Sequence, residues 1–262
     1  MTLFWHEMRR GFRTLLIWTA VVAGMITVCM LLFPQMKGQM DAVNQMFSSM
    51  GGFTQAFGMD KIPLGTPMGF YGIEGGNILG IGGAFFAGLL GIRMLAKEEG
   101  EHTAEFLLTH PISRARVVSE KLLALLCQLA CFNLICAGCA ALSFAVIGEM
   151  VAWKAFALFH IAQYALQCEI ACICLGLSAF LRRGGVGAGL GLAAFLYFLN
   201  LIGNIAEQAS FVRYLTPFHY AEASDILSTA TIDGGMLALG MLYLALGIAV
   251  AYVRYCRKDV AA

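Results

Sequence analysis

The stretch Leu15–Pro34, LLIWTAVVAGMITVCMLLFP, is 20 residues long and contains no Asp, Glu, Lys or Arg. A helix of about 20 apolar residues crosses the roughly 30 Å hydrocarbon layer of a bilayer. This stretch therefore predicts a membrane span. Four further long runs are free of charge, and a sixth is interrupted only by Glu169. The predicted spans lie near residues 15–34, 75–95, 122–148, 155–181, 184–206 and 234–253.

The composition agrees with a chain that lies mostly in lipid. Of the 262 residues, 60% are hydrophobic and 13% are charged, whereas a soluble domain carries about 25% charged residues. A net charge of +1 provides no field that would attract nucleic acid. We therefore expect a single all-α membrane domain over residues 1–262, with the lipid bilayer as a partner and no nucleic acid.

The positions of Lys and Arg between the runs predict the orientation, because cytoplasmic loops are enriched in these residues. If the N-terminus is cytoplasmic, 13 of the 17 Lys and Arg residues lie on the inner side. The four on the outer side are Lys37, Lys61, Lys154 and Arg213. Six spans then place both termini in the cytoplasm of a multi-pass protein.

Residues 1–14 have two faces on a helical wheel. Apolar side chains such as Phe4, Met8 and Phe12 share one side, and Arg9 and Arg13 share another. The apolar run that follows is too long for the core of a signal peptide, which has 7–15 residues, and no small-residue cleavage pattern follows it. The pattern predicts an interfacial helix that leads into the first span.

No catalytic, metal-binding or cofactor-binding residues are predicted. Cys136 and Cys139 have redox spacing but lie in the middle of a span, which favours simple packing. Met36, Met40 and Met50 recur at helical intervals with Val43 and Phe47, so an amphipathic helix on the outer side explains them better than copper binding. The chain has no Gly-Lys dipeptide and thus no phosphate-binding loop for ATP.

The largest inner loop, residues 93–121, reads as a short amphipathic helix that lies crosswise between spans two and three. Its acidic first turn begins at Glu98, Pro111 stops it, and Ser113 can cap the helix of span three. From the residues alone, this segment is either a solvated loop or a docking platform for a cytoplasmic protein.

Residues 98–114, EEGEHTAEFLLTHPISR, followed by Lys121, resemble the signature of ABC-type exporter permeases of the six-span, type V family. His102 replaces the usual glycine of that pattern, and Ile112 is a mild exchange. Residues 214–226, YLTPFHYAEASDI, and the terminal Arg257-Lys258-Asp259 are also similar to the family, so the matches extend over nearly the whole chain.

The resemblance implies export across the cell (cytoplasmic) membrane, driven by a separate ABC ATPase subunit. ATP and Mg would bind to that partner, and two permease copies, identical or different, would work with two ATPases. The coupling helix between spans two and three would contact the ATPase. Its contacting residues would be Glu98, Glu99, Thr103, Glu105, Phe106, Leu107 and Leu108.

Polar residues inside spans four and five indicate a possible path. His160, Gln163, Tyr164 and Gln167 fall on one side of span four at helical spacing, so this face lines a cavity or meets a second copy. Asn200 and Asn204 of span five form either an outer mouth or ordinary contacts between helices.

Glu169 lies near the middle of span four, opposite His160. An ionised carboxylate there costs about 2.5–3.5 kcal/mol on insertion scales, so a hydrogen bond within the protein or a role as a substrate or proton site would explain it. The second reading supports an alternative function, a proton-coupled secondary transporter. An intramembrane enzyme using His160 or Glu169 is the remaining rival, although no metal or nucleophile motif accompanies them.

Small residues recur every four positions on two spans. Gly76, Gly80, Ala84 and Gly88 form such a stripe on span two, and glycines 185, 187, 189 and 191 form two more on span five. Small side chains allow helix backbones to approach closely in membranes. We expect close packing there, or moving interfaces between helices.

Overall fold

A computed structural model describes residues 2–39, 51–100, 112–181 and 185–258. Six long helices carry the six apolar runs, and each is long and apolar enough to cross a membrane. In chain order they are α1 (Thr2–Met36), α2 (Gly76–Arg93), α3 (Arg114–Val146), α4 (Trp153–Ser178), α5 (Val186–Ile205) and α6 (Gly234–Arg257). The described ranges contain no strand. The prediction of an all-α protein with six membrane helices is confirmed.

Short helices connect the long ones. Residues Gly51–Ala56 and Pro67–Phe70 precede a π-helical turn at Tyr71–Gly75, which continues directly into α2. A 3₁₀ helix at Glu207–Leu215 and a short helix at Ala223–Thr229 lie between α5 and α6. The chain between α5 and α6 is thus folded, and it forms part of the site described below.

The helix ends follow local capping chemistry. The hydroxyl of Ser113 accepts a hydrogen bond from the backbone of Arg116 and caps α3, as the sequence predicts. The carboxylate of Asp233 accepts bonds from the first amides of α6 in the same way. Such side chains satisfy backbone donors that have no partner within the helix.

Two helices are longer than the predicted spans. α1 is continuous from Thr2, so no break separates the predicted interfacial segment 1–14 from the first span. α3 begins at Arg114, several residues before the predicted span at 122, because the Ser113 cap sets its start and the first charged turns need no lipid. Residues 40–50, where part of the outer amphipathic helix is predicted, lie outside the described residues.

The helices differ in how much of their surface the protein covers. In the most apolar windows of α2 and α4, 67% and 72% of residues are buried, compared with only 11% for α6 and 28% for α5. α2 and α4 are therefore the centre of the bundle. α5 and α6 turn most of their apolar surface outward, toward lipid or another protein.

Glycines allow main-chain contact between α2 and α5. A Cβ atom added to Gly88 would lie 2.5 Å from the carbonyl oxygen of Gly189, and one added to Gly189 would lie 2.4 Å from that of Gly88. Real Cβ atoms do not approach so closely. The predicted close packing is confirmed where Gly88 of one stripe meets Gly189 of the other. Gly187 and Gly191, in contrast, have open space beside them.

Contacts between loops join segments predicted to lie on the same side of the membrane. Lys37 pairs with Glu149 at 3.2 Å, and Lys61 pairs with Asp225 at 2.9 Å. We call the end of the bundle that holds these pairs the outer end. At the opposite, inner end, Lys258 Nζ donates to the carbonyl oxygen of Leu181 at 2.9 Å. This arrangement agrees with the predicted topology.

Candidate transport path and coupling elements

A small cavity lies at the outer end, where α2, α4, α5 and the chain between α5 and α6 meet. Its volume is about 40 Å³, which holds only a few water molecules. α2 contributes Gly76, Asn77 and Gly80, α4 contributes Gln163, α5 contributes Tyr197 and Asn200, and the connecting chain contributes Phe218 and residues 221–224. The cavity is too small for an organic cargo in this conformation.

Amide side chains supply most of the polar lining. Gln163 donates to the carbonyl oxygen of Ala221 at 3.0 Å, and Tyr197 donates to the amide oxygen of Asn77 at 3.3 Å. The amide oxygens of Gln163 and Asn200 are buried and have no hydrogen-bond partner in the described part of the chain. The cavity wall therefore offers two acceptors to a molecule that can donate.

Glu222 is the charged residue of the cavity lining, and it belongs to a group of three charged side chains. Lys61 lies 3.6 Å from the Glu222 carboxylate and 2.9 Å from that of Asp225. We call Lys61, Glu222 and Asp225 the outer ion group. Asn204 donates to Glu222 at 3.2 Å and lies 3.4 Å from the carbonyl oxygen of Ala56.

The outer ion group determines how readily Glu222, in the cavity wall, gains or loses a proton. Burial raises the pKa of Glu222, and the nearby Lys61 ammonium opposes that shift. For Lys61, burial lowers the pKa, but Glu222 and Asp225 outweigh it, so the pKa is raised on balance. Lys61 is therefore a persistent cation, and Glu222 takes up a proton more easily than an exposed carboxylate does.

The predicted polar stripe of α4 is distributed between the cavity and the helix interfaces. Of its four members, only Gln163 lines the outer cavity. Tyr164 donates to the carbonyl oxygen of Leu126 on α3 at 3.3 Å. His160 and Gln167 belong to a buried hydrogen-bonded chain. The structure thus uses most of this stripe to connect α4 to its neighbours, and a path-lining role for these residues stays a prediction.

The buried chain of hydrogen bonds runs from the π-helical turn before α2 to α4, then to α3 and back to α4. The hydroxyl of Tyr71 bonds to Nε2 of His160 at 2.9 Å, and Nδ1 of His160 lies 3.3 Å from the amide oxygen of Asn133. Asn133 then donates to Gln167 at 2.6 Å. Because an amide oxygen only accepts, His160 carries its proton on Nδ1 and accepts from Tyr71. Tyr71 and Asn133 were not among the predicted residues.

Glu169 is 1% exposed and accepts a hydrogen bond from the hydroxyl of Tyr220 at 2.9 Å. Tyr220 belongs to the chain between α5 and α6, so this outer segment reaches into the membrane interior. A Cβ atom on Gly240 of α6 would lie 2.4 Å from the Glu169 carboxylate, and Gly240 therefore provides the space for this group. Of the two explanations predicted for Glu169, a hydrogen bond within the protein therefore has a specific partner, Tyr220.

At the inner end, the chain holds four buried or nearly buried charges together. Lys121 is fully buried and lies 3.0 Å from the Glu7 carboxylate and 2.7 Å from the carbonyl oxygen of Met94. Lys121 also pairs with Glu98, and Lys97 pairs with Glu7. We call Glu7, Lys97, Glu98 and Lys121 the inner ion cluster. It connects α1 and α3 to the segment after α2.

The predicted coupling residues are only partly described. Glu98 is 7% exposed, and its carboxylate faces Lys121 of the same chain, so contact between Glu98 and an ATPase stays a prediction. The side chain of Glu99 and all of Thr103, Glu105, Phe106, Leu107 and Leu108 lie outside the described residues. The described residues on either side, Gly100 and Ile112, are both at the inner end.

Comparison of the chain with curated proteins finds no match. The sequence model described as "ABC-2 family transporter protein", however, matches residues 1–260. The match covers the six helices, the outer cavity and the inner ion cluster together. The chain therefore belongs to the ABC-2 transporter family and is a multi-pass membrane subunit of an ABC transporter.

Proposed function

We propose that this chain is the membrane half of an ATP-driven exporter in the cell membrane, with both termini in the cytoplasm. A separate ABC ATPase subunit would bind residues 98–110 and hydrolyse ATP, and a second permease copy would complete the path. The observation that carries the proposal is the anchoring of this segment. Lys121 holds its first residue, Glu98, and the Ser113 cap fixes the helix that follows it.

The anchors give a mechanical route from the ATPase to the membrane helices. A push on residues 98–110 acts through Glu98 on Lys121 of α3 and, through Glu7, on α1. Buried ion pairs resist separation because an unpaired buried charge is costly. The three inner helix ends would therefore move as a unit.

The same push reaches the outer cavity through α2. This helix runs from Arg93 at the inner end to Gly76 at the outer end, and Gly76, Asn77 and Gly80 line the cavity. A stiff helix transmits a displacement along its length. In the proposed cycle, movement of α2 against the chain between α5 and α6 opens the cavity and releases cargo outward.

A second copy fits the exposed side of the bundle. α6 and α5 have the least buried apolar windows of the six helices, and open space lies beside Gly187 and Gly191 of α5. Small residues favour helix association in membranes. The outward faces of α5 and α6 are the proposed contact surface for the other permease.

The proposal is tested with charge reversal in the coupling segment. Glu105→Lys, combined with Phe106→Ala, should reduce co-purification of the ATPase and ATP-dependent flux from liposomes, because these residues would contact the ATPase. Lys154→Glu, on the outer side, is the matched control and should leave both measurements unchanged. Normal flux in the Glu105 and Phe106 variant at normal expression would contradict the proposal.

The same liposomes separate the proposal from the alternative. ATP-driven export stops when nucleotide is removed, whatever the proton gradient. Flux that follows the gradient without ATP, and that Glu169→Gln abolishes, would instead support the secondary transporter.

A further inference from the structure

We infer that a cleft between α1 and α2 at the inner end binds the phosphate headgroup of an anionic membrane lipid. The cleft has a volume of about 70 Å³, room for a headgroup moiety rather than a whole lipid. Its walls come from one face of α1 (Glu7, Arg10, Gly11, Thr14) and one face of α2 and its continuation (Leu89, Leu90, Arg93, Met94, Lys97), with Gln128 of α3 as a further lining residue.

The cleft carries an excess of positive charge. Arg10, Arg93 and Lys97 line it, whereas Glu7 is its only carboxylate among the described residues. That carboxylate already pairs with Lys97 and with the buried Lys121.

The position of the cleft matches the depth of lipid headgroups. The charge-free run of α1 begins at Leu15, directly after Thr14, and that of α2 ends at Ile92, directly before Arg93. The cleft therefore straddles the boundary between the apolar helix surface and the basic inner end. Basic pockets between helices on the cytoplasmic side of a membrane are suited to anionic headgroups.

The mixture of wall chemistry distinguishes a lipid from a soluble anion. Arg10 and Arg93 are exposed at the mouth, where they can donate to phosphate oxygens. Leu89 and Leu90 continue the wall toward the membrane with an apolar surface. A phospholipid meets both parts, with its phosphate at the arginines and the start of its acyl chains against the leucines, whereas inorganic phosphate meets only the basic part.

Native mass spectrometry of the full chain in detergent tests the inference, with phosphatidylglycerol and phosphatidylcholine as probes. The chain should retain phosphatidylglycerol in preference to phosphatidylcholine. Arg10→Gln with Arg93→Gln should weaken phosphatidylglycerol binding about thirtyfold, from the typical contribution of each basic residue near an anionic lipid. Arg9→Gln with Arg13→Gln removes the same charge from the same end, outside the cleft, and should have little effect.

Two further measurements make the result specific. Thr14→Phe, which fills the cleft without changing its charge, should also reduce retention of phosphatidylglycerol. Inorganic phosphate at the same concentration should not displace the lipid. Equal losses in the Arg9 and Arg13 control, displacement by phosphate, or absence of lipid preference would each overturn the inference. Because no ATPase or cargo is needed, failure here leaves the proposed function unaffected.

Discussion

The inner ion cluster and the outer ion group contain the same kinds of side chain in very different surroundings. Lys121 is fully buried and Glu7 is 2% exposed, whereas the side chains of Lys61 and Asp225 are 36% and 42% exposed. Water can therefore replace the lost contact between Lys61 and Asp225, whereas it does not reach Lys121 and Glu7. We therefore expect the pair of Lys121 and Glu7 to stay intact and the pair of Lys61 and Asp225 to separate and re-form more easily.

The largest effect is expected for Lys121→Met. This change leaves the carboxylates of Glu7 and Glu98 without their buried partner, and breaking a buried pair in this way costs about 3–5 kcal/mol. The midpoint of thermal unfolding in detergent should fall strongly, as measured by intrinsic fluorescence. Lys154→Met serves as the exposed control. Adding Glu98→Gln to Lys121→Met should recover part of the loss, and an unchanged midpoint for Lys121→Met alone would invalidate the comparison.

A smaller effect is expected for Tyr220→Phe. This variant tests whether a contact that is buried within the bundle stabilises the protein even when one of its residues comes from an outer segment. Tyr220 comes from an outer segment but donates to the buried Glu169. Hydrogen bonds between membrane helices contribute about 0.6 kcal/mol on average and up to roughly 1.7 kcal/mol, so a loss of about 1 kcal/mol is expected. The same unfolding assay measures it, with the exposed Tyr214→Phe as control. Equal midpoints for the two variants would show that the Glu169 bond adds nothing.

Lys61→Met should cost still less, about 0.5 kcal/mol, because a partly exposed ion pair is hydrated and screened. The loss should shrink further in high salt, whereas the loss for Lys121→Met should persist. Unfolding midpoints at low and high salt for both variants provide the measurement. A salt-independent loss as large as that of Lys121→Met would remove the distinction between the two regions.

The smallest effect is a pH dependence at Glu222. Burial holds the pKa of Glu222 above its ordinary value, so the folded chain binds this proton more readily than the unfolded chain. The resulting stabilisation is complete below the unfolded-state pKa and is lost as the pH rises through the folded-state pKa. As the pH is lowered from 7 to 4, the midpoint of thermal unfolding should rise more, or fall less, in the wild type than in Glu222→Gln. Parallel curves would contradict it.

Sequence patterns predicted the helices well because lipid imposes a simple local requirement. A charge-free run such as Leu15–Pro34 must form internal hydrogen bonds in the bilayer, and the helix is the local way to do so. The cap at Ser113 was also predictable, because it depends only on residues next to it in the sequence. These features need no knowledge of which helices are neighbours.

The partners of the polar residues were not predictable in the same way. A helical wheel puts His160 and Gln167 on one face but does not say that Asn133, 27 residues before His160, lies opposite. The link between Glu98 and Lys121, and that between Tyr220 and Glu169, also depend on how helices are arranged in three dimensions. The mid-span position of Asn133 was the only signal in the sequence for its role.

The contact between Gly88 and Gly189 has a consequence for movement. The two backbones meet directly here, with only the side chains of Ile92 and Ala193 close by, so few side chains have to move when one helix shifts along the other. Sliding of packed helices is one of the recognised modes of conformational change. We therefore expect α2 to be able to shift past α5 at this level while the backbones stay in contact, whereas the hydrogen bond between Tyr197 and Asn77 at the outer end would have to break.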